Sequence, residues 1–325
     1  MKGVLSASDA AAALADGFRR ATVEAIELPL ADGGEGTAEV LRTALGGEWR
    51  TAEVSDPLGR WVEARFLLLP GARAVVESAE AIGLWRLRDD ERDPTRTTSR
   101  GLGELIHAAI EAGAREITVA LGGSATVDGG AGLREVLPEL RVPVIAAVDV
   151  RNPLLGPRGA ARAFGPQKGA TPEQVEELEE RLASMTELRD VADVPGAGST
   201  GGLGAAFAAL GAELVPGIDL VLRDVGFPGA LEGAAVAVTG EGGVDPSSAE
   251  GKVAAGVAAA CAAVGVPCIV FGGRVEPGSA AALYDLGATA VFSLSGRPER
   301  ARDDLGDLGE ALGRLLVALA GSRPS

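Results

Sequence analysis

Residues 117 to 132, Ile-Thr-Val-Ala-Leu-Gly-Gly-Ser-Ala-Thr-Val-Asp-Gly-Gly-Ala-Gly, constrain the fold more than any other stretch of the chain. The apolar run Ile117 to Leu121 is long enough for a buried strand. It breaks into Gly122 and Gly123, then the hydroxyl residues Ser124 and Thr126, then Asp128, then Gly129, Gly130 and Gly132. Glycine permits left-handed backbone and lets a ligand come close to the main chain. Successive exposed N–H groups in such a loop form a concavity suited to an anion. Asp128 adds a carboxylate able to face a metal or a hydroxyl.

Four more stretches have the same character: Leu30 to Thr37 (Leu-Ala-Asp-Gly-Gly-Glu-Gly-Thr), Ala147 to Gly156, Phe164 to Gly169 and Val238 to Asp245. Most end an apolar segment in Gly with Asp, Glu or Lys. Their recurrence suggests glycines and carboxylates converging on one polar ligand. Between them, strand and helix patterns alternate. Helices are expected over 6–21, 33–45, 101–112, 171–185, 253–264, 280–286 and 304–319. Strands are expected over 24–30, 48–54, 61–69, 74–77, 117–121, 142–148, 234–238, 268–271 and 290–294. A second Gly-rich turn, 196–204, leads into an Ala-rich helix. Such alternation implies an α/β protein with mainly parallel sheet, whose ligands bind at the carboxyl ends of the strands. Asp32, Asp128, Asp149 and Glu241 all follow strand-like segments, where a site would form.

Composition narrows the function. Lys plus Arg total 30 against 46 Asp plus Glu, a formal charge of −16, so the basic footprint of a nucleic-acid binder is absent. Anionic substrates remain accessible through local N–H groups. Cys261 and Cys268 lack metal-ligand spacing, and the lone His107 cannot anchor a histidine metal site; this usage suits a reducing compartment. No signal-peptide pattern is expected at the start. The most apolar window, 253–271, is split by Gly265-Val266-Pro267 and is not a membrane span. The expectation is a cytoplasmic protein with a small-molecule substrate and no nucleic-acid or membrane partner; a homodimer is compatible with it.

A histidine-poor, acid-rich set of glycine loops with a few lysines suits phosphoryl transfer. That chemistry needs phosphate charge neutralised, a divalent cation held by oxygen ligands and an aligned nucleophile. Magnesium takes carboxylates and water. Lys168 and Lys252 each adjoin glycine and offer point charges for phosphate. An Asp beside the acceptor hydroxyl would take its proton. Neither a Walker G-x-x-x-x-G-K-[ST] pattern nor a strand-linked G-x-G-x-x-G is present, which speaks against P-loop and dinucleotide readings.

Taken together, these stretches resemble the bacterial glycerate kinase family, class I. The matching segments are Lys2 to Ala7, Leu30 to Thr37, Gly122 to Gly130, Asp149 to Gly156, Phe164 to Ala170, Gly196 to Gly204, Pro216 to Asp219 and Thr239 to Gly242, in order along nearly the whole chain. The resemblance implies transfer of the ATP γ-phosphate to D-glycerate with magnesium, giving 2-phosphoglycerate rather than 3-phosphoglycerate. It implies two α/β domains: a Rossmann-like one built from both chain ends (1–55 and 234–325) and a mixed α/β domain inserted between them (56–233). It also implies a site. Asp128 and Asp149 would stand at the reacting centre as metal ligands or proton acceptor, with Lys168 and Lys2 offsetting substrate charge. Ser124, Asn152, Asp32, Glu35, Gly122 and Gly123 would receive the glycerate. Gly198, Gly201, Gly202 and Lys252 would serve the nucleotide, with Glu241 and Asp245 closing the site from the other domain. This reading requires Asp32, Asp128, Asp149 and Lys168 to share one region.

The sequence departs from the family pattern in three places. Members usually open with an apolar strand ending in Pro-Asp-Ser-Phe-Lys-Gly, whereas this sequence matches only from Lys2-Gly3. A sheet strand and a site carboxylate are then expected to be lacking, with activity reduced. The segment between the Asp-Gly-Gly and Asp-x-x-Asn-Pro loops is short, Leu133 running almost directly into Val142. Ser247 stands where Gln is usual. A shortened, non-catalytic relative that binds a small hydroxy acid is the alternative.

Overall fold

The computed structural model describes residues 5–249 and 252–321. It divides into two compact α/β units, one continuous from Asp32 to Val221, the other made from the residues before and after that span.

The continuous unit carries a six-stranded mixed sheet: β1 (Glu48–Ser55), β2 (Trp61–Leu69), β3 (Arg73–Glu77), β4 (Glu116–Leu121), β5 (Val144–Val148) and β6 (Glu213–Pro216), in that spatial order. The first three strands run antiparallel as a meander, and β3 through β6 are parallel. β4 lies near the middle and is apolar because both its faces are covered. Ile117, Val119 and Leu121 enter a core with Leu102, Leu105 and Ile106 of the helix Arg100–Glu111 and Phe207 of the helix Ser199–Ala209. Each such side chain contributes about 1.5–3 kcal/mol on burial.

The helix Pro172–Ser184 forms within the span 171–185 where a helix is expected. Thr171 caps it, accepting from the Gln174 amide at 3.3 Å while the Gln174 side chain accepts the Thr171 N–H at 2.8 Å. Val175, Leu178 and Leu182 are buried and Glu176, Glu177, Glu180 and Arg181 are exposed, while Glu179 accepts the Gly156 N–H at 2.6 Å.

The unit built from the chain ends holds a parallel three-stranded sheet, β7 (Ala237–Glu241), β8 (Cys268–Gly272) and β9 (Ala290–Ser293). Helix Ala7–Arg20 is capped by Ser6, whose hydroxyl oxygen accepts the Asp9 N–H at 3.0 Å. Cys261 and Cys268 are buried and unbridged; the hydrogen bond with Cys261, and then burial, push the Cys268 thiol far up.

One expected strand does not form. Residues 24–30 are irregular, no described strand pairs with them, and Ile26 is 69% exposed. An apolar–polar alternation makes a strand only when a ladder partner satisfies its backbone. β7 forms three residues later than expected, in register with β8. Strand β6 and the short helices Ala131–Val136 and Ala160–Phe164 are too brief to impose a period on the sequence.

Candidate active site

Because β3 to β6 are parallel, their carboxyl ends share one edge of the sheet. β3 ends at Glu77, β4 at Leu121, β5 at Val148 and β6 at Pro216. The residues that follow are Ser78, the Gly122-Gly123-Ser124 turn, Asp149 and Gly217. The Asp32–Gly36 loop lies against this edge. One oxygen of the Glu77 carboxylate accepts the N–H groups of Gly36 at 3.0 Å and Ala38 at 2.7 Å. Burial pushes the Glu77 carboxyl above the ordinary glutamate range, against the pull of those two N–H groups.

Glycine lets the loop sit this close. A Cβ on Gly122 would stand 2.9 Å from the Gly34 Cα, and one on Gly217 would stand 2.3 Å from the Gly33 Cα. Asp32 turns back on its own loop, Oδ1 accepting the Gly34 N–H at 3.2 Å. The point where a Cβ on Gly34 would sit is 3.3 Å from Asp32 Oδ1 and 4.0 Å from Asp149 Oδ2. Two carboxylates from loops more than a hundred residues apart thus converge over one glycine. Glu35 is exposed beside them, its Oε2 3.6 Å from the Cβ position of Gly123.

Deeper in the same region, Lys168 is buried at the end of the Pro166–Lys168 turn. Its ammonium donates to Ser124 Oγ at 3.0 Å and to the Thr126 carbonyl at 2.7 Å. Burial lowers its pKa to about 7, and the nearby Asp128 carboxylate works in the opposite direction. Asp128 is itself buried and fully engaged. Oδ2 accepts the Ser99 N–H at 2.8 Å, the Ser99 hydroxyl at 2.7 Å and the Gly132 N–H at 3.2 Å; Oδ1 accepts the Gly130 N–H at 3.1 Å. The side chain therefore ties its loop to the starts of helices Arg100–Glu111 and Ala131–Val136.

Asn152 Nδ2 donates to the Arg158 carbonyl at 2.7 Å, and the Asn152 carbonyl accepts the Gly198 N–H at 2.9 Å. Gly201 and Gly202 are buried against the Asp128 loop, and the Gly201 carbonyl accepts the Gly129 N–H at 3.1 Å. Asp32 and Asp149 approach Gly34 at this edge, whereas Lys168 and Asp128 bond within the chain that follows β4, Lys168 at Ser124 and Thr126 and Asp128 at Gly130 and Gly132.

In the other unit, Glu241 ends β7. Its carboxylate accepts the Ser248 hydroxyl at 3.0 Å and the Ala254 N–H at 3.1 Å, and the Asp245 N–H donates to Ser248 Oγ at 3.1 Å. Lys252 stands at the N-cap of helix Val253–Val264. These three belong to one loop system at the carboxyl end of β7. Lys2 lies outside the described residues.

Sequence reading missed Glu77, Ser78 and Ser99. Their signal is weak: Glu77 is a single polar residue closing an apolar strand, and its partners at 36 and 38 are remote in sequence. Among the described residues no group of three or more His, Cys, Asp or Glu side chains is arranged to hold a metal, and no described helix is long and apolar enough to cross a membrane.

The sequence profile of the glycerate kinase family matches residues 1–138 and 135–320. The chain belongs to the glycerate kinase family. The two matched stretches meet where the segment after the Asp-Gly-Gly loop is short. A glycerate kinase of Halalkalibacterium halodurans is 38% identical, with 90% of this chain and 88% of that one covered. The glycerate 2-kinase of Escherichia coli is 39% identical with the same coverage. Among solved structures, a protein assigned as glycerate kinase 2 from Salmonella typhimurium superposes with a TM-score of 0.84 at 35% identity, covering 98% of this chain and 96% of that one. Membership in a kinase family fits the site's acidic, glycine-lined chemistry and implies a nucleotide phosphate donor and a small-molecule acceptor.

Proposed function

We propose that this chain is an ATP-dependent glycerate kinase that transfers the γ-phosphate to D-glycerate and releases 2-phosphoglycerate. The convergence of Asp32 and Asp149 beside the Gly34–Gly122 contact carries the reading, and the names of the relatives support the substrate. A C2 hydroxyl placed there attacks the γ-phosphorus, the bond to the β–γ bridging oxygen breaks, and the hydroxyl proton passes to a carboxylate. The leaving ADP carries the electron pair of the broken bond.

The donor set suits magnesium, which needs only one or two carboxylates when phosphate and water complete its shell. Asp149 and Asp32 would hold it, and when bound it neutralises phosphate charge. Asp128, whose four hydrogen bonds are internal, acts through the loop it ties. Lys168 fixes Ser124 and Thr126 and lends positive potential beneath the glycerate loop. Glu241, Asp245 and Lys252 are assigned to the nucleotide. Two buried, unbridged cysteines support a reducing compartment such as the cytoplasm.

The test is ADP release by purified protein with magnesium, ATP and D-glycerate, with the product identified by phosphorus NMR. Turnover giving 2-phosphoglycerate is expected, with Asp149→Asn lowering kcat at least a hundredfold. A protein that binds D-glycerate calorimetrically but releases no ADP would be the non-catalytic binder instead.

A further inference from the structure

The helix Thr37–Leu45 begins at Gly36, which has no side chain with which to cap it. The first N–H groups of a helix need acceptors from elsewhere. Glu77, at the end of β3, supplies one from outside the helix, its single Oε1 taking both the Gly36 and Ala38 N–H groups. A carboxylate is the favoured acceptor at that helix end. The next residue, Ser78, is fully buried and binds both polar groups of Gly122: its hydroxyl donates to the Gly122 carbonyl at 2.8 Å and accepts the Gly122 N–H at 3.1 Å. Adjacent residues on one strand end therefore grip two loops separately, and those loops touch where Gly122 meets Gly34.

We propose that Glu77 and Ser78 are positioning residues that set the register between the Asp32–Gly36 and Gly122–Ser124 loops, and so the affinity for the hydroxy acid. Neither side chain needs to touch the substrate. The inference rests on the glycerate kinase reading for its substrate, and on the two hydrogen-bond pairs for its mechanism. Losing either grip leaves Gly34 and Gly122 in contact but frees one loop to slide against the other, so the Asp32–Gly36 loop and the Gly122–Ser124 turn no longer hold a fixed register.

The test is steady-state kinetics on the full chain. Ser78→Ala and Glu77→Leu should each raise KM for D-glycerate at least tenfold, while KM for ATP stays within twofold and kcat falls less than the glycerate KM rises. Glu77→Gln, which keeps an acceptor for both N–H groups, should bring the glycerate KM back to within about threefold of the parent. Equal rises in both KM values, or no rise in either, would overturn the proposal. If a variant does not fold, amide hydrogen exchange on the unaltered protein decides: the Gly36, Ala38 and Gly122 amides should be protected, and exchange at free-loop rates would overturn it. Absence of D-glycerate turnover by the unaltered protein sinks the kinase reading instead, and the exchange result then judges the two grips alone.

Discussion

Helix Ala7–Arg20 meets helix Ala301–Gly321 backbone to backbone, and the Thr126–Gly129 loop meets the Ser199–Gly202 turn in the same way. In the helix pair, a Cβ on Gly17 would stand 2.2 Å from the Gly306 carbonyl oxygen, and one on Gly309 would stand 2.2 Å from that of Leu14. Leu14, Phe18, Leu305 and Leu312 close an apolar seal around the contact. Neither glycine has a positive φ, so space alone decides what fits. At the loop contact, Gly201 has φ of +73° and its Cβ would stand 1.9 Å from the Thr126 carbonyl oxygen. Space and backbone handedness are both fixed there. The pair of sites shows that a high glycine count is not one signal: the helices use it to approach, whereas the loops use it to approach and to turn.

Four substitutions test that distinction, the most damaging first. Gly201→Ala combines overpacking with left-handed strain and should cost about 3–5 kcal/mol in urea unfolding. Loss near 1 kcal/mol would show that the turn relaxes freely. Lys168→Met probes a property the helix pair lacks, a buried titrating charge. The folded pKa of Lys168, about 7, lies below the ordinary lysine value of 10.5. Between those values the unfolded chain holds a proton that the native state does not, so this group's contribution to stability rises with pH through the window and is lost as pH falls through 7. The stability of the parent relative to Lys168→Met should therefore grow by about 2 kcal/mol from pH 7 to pH 9. A pH-independent difference would place the native pKa near its ordinary value. Gly17→Ala meets a rigid carbonyl but no φ penalty and should cost about 1–3 kcal/mol, read by thermal melting. Gly36→Ala meets no atom within 4 Å at φ of +94°, and should cost only about 1 kcal/mol, the price of handedness alone. Were Gly36→Ala as harmful as Gly201→Ala, steric closeness would not be what separates the regions.

Much of the architecture was legible. The charged amphipathic stretch 171–185 and the apolar run 117–121 announced a helix and a central strand because each is written in adjacent residues. The strand expected at 24–30 failed for the opposite reason, since pairing depends on a partner that local alternation does not specify. Within the site, Asp128 and Asp149 look alike in sequence, each an acid after a β-run. Only the fold shows that four internal donors occupy Asp128, and that an Asp149 oxygen comes within 4.0 Å of the Cβ position of Gly34. Ser78 and Glu77 were illegible because their partners lie some forty residues away along the chain.

The span from Asp32 to Val221 is unbroken, and both converging carboxylates, Lys168 and the two gripping residues fall inside it. A single genetic crossover pair at its ends would carry that acidic edge between relatives as one cassette, with its internal geometry intact. The flanking unit enjoys no such portability, because its helix Ala7–Arg20 and its three-stranded sheet are inherited from opposite sides of that span and must find each other anew in every recombinant.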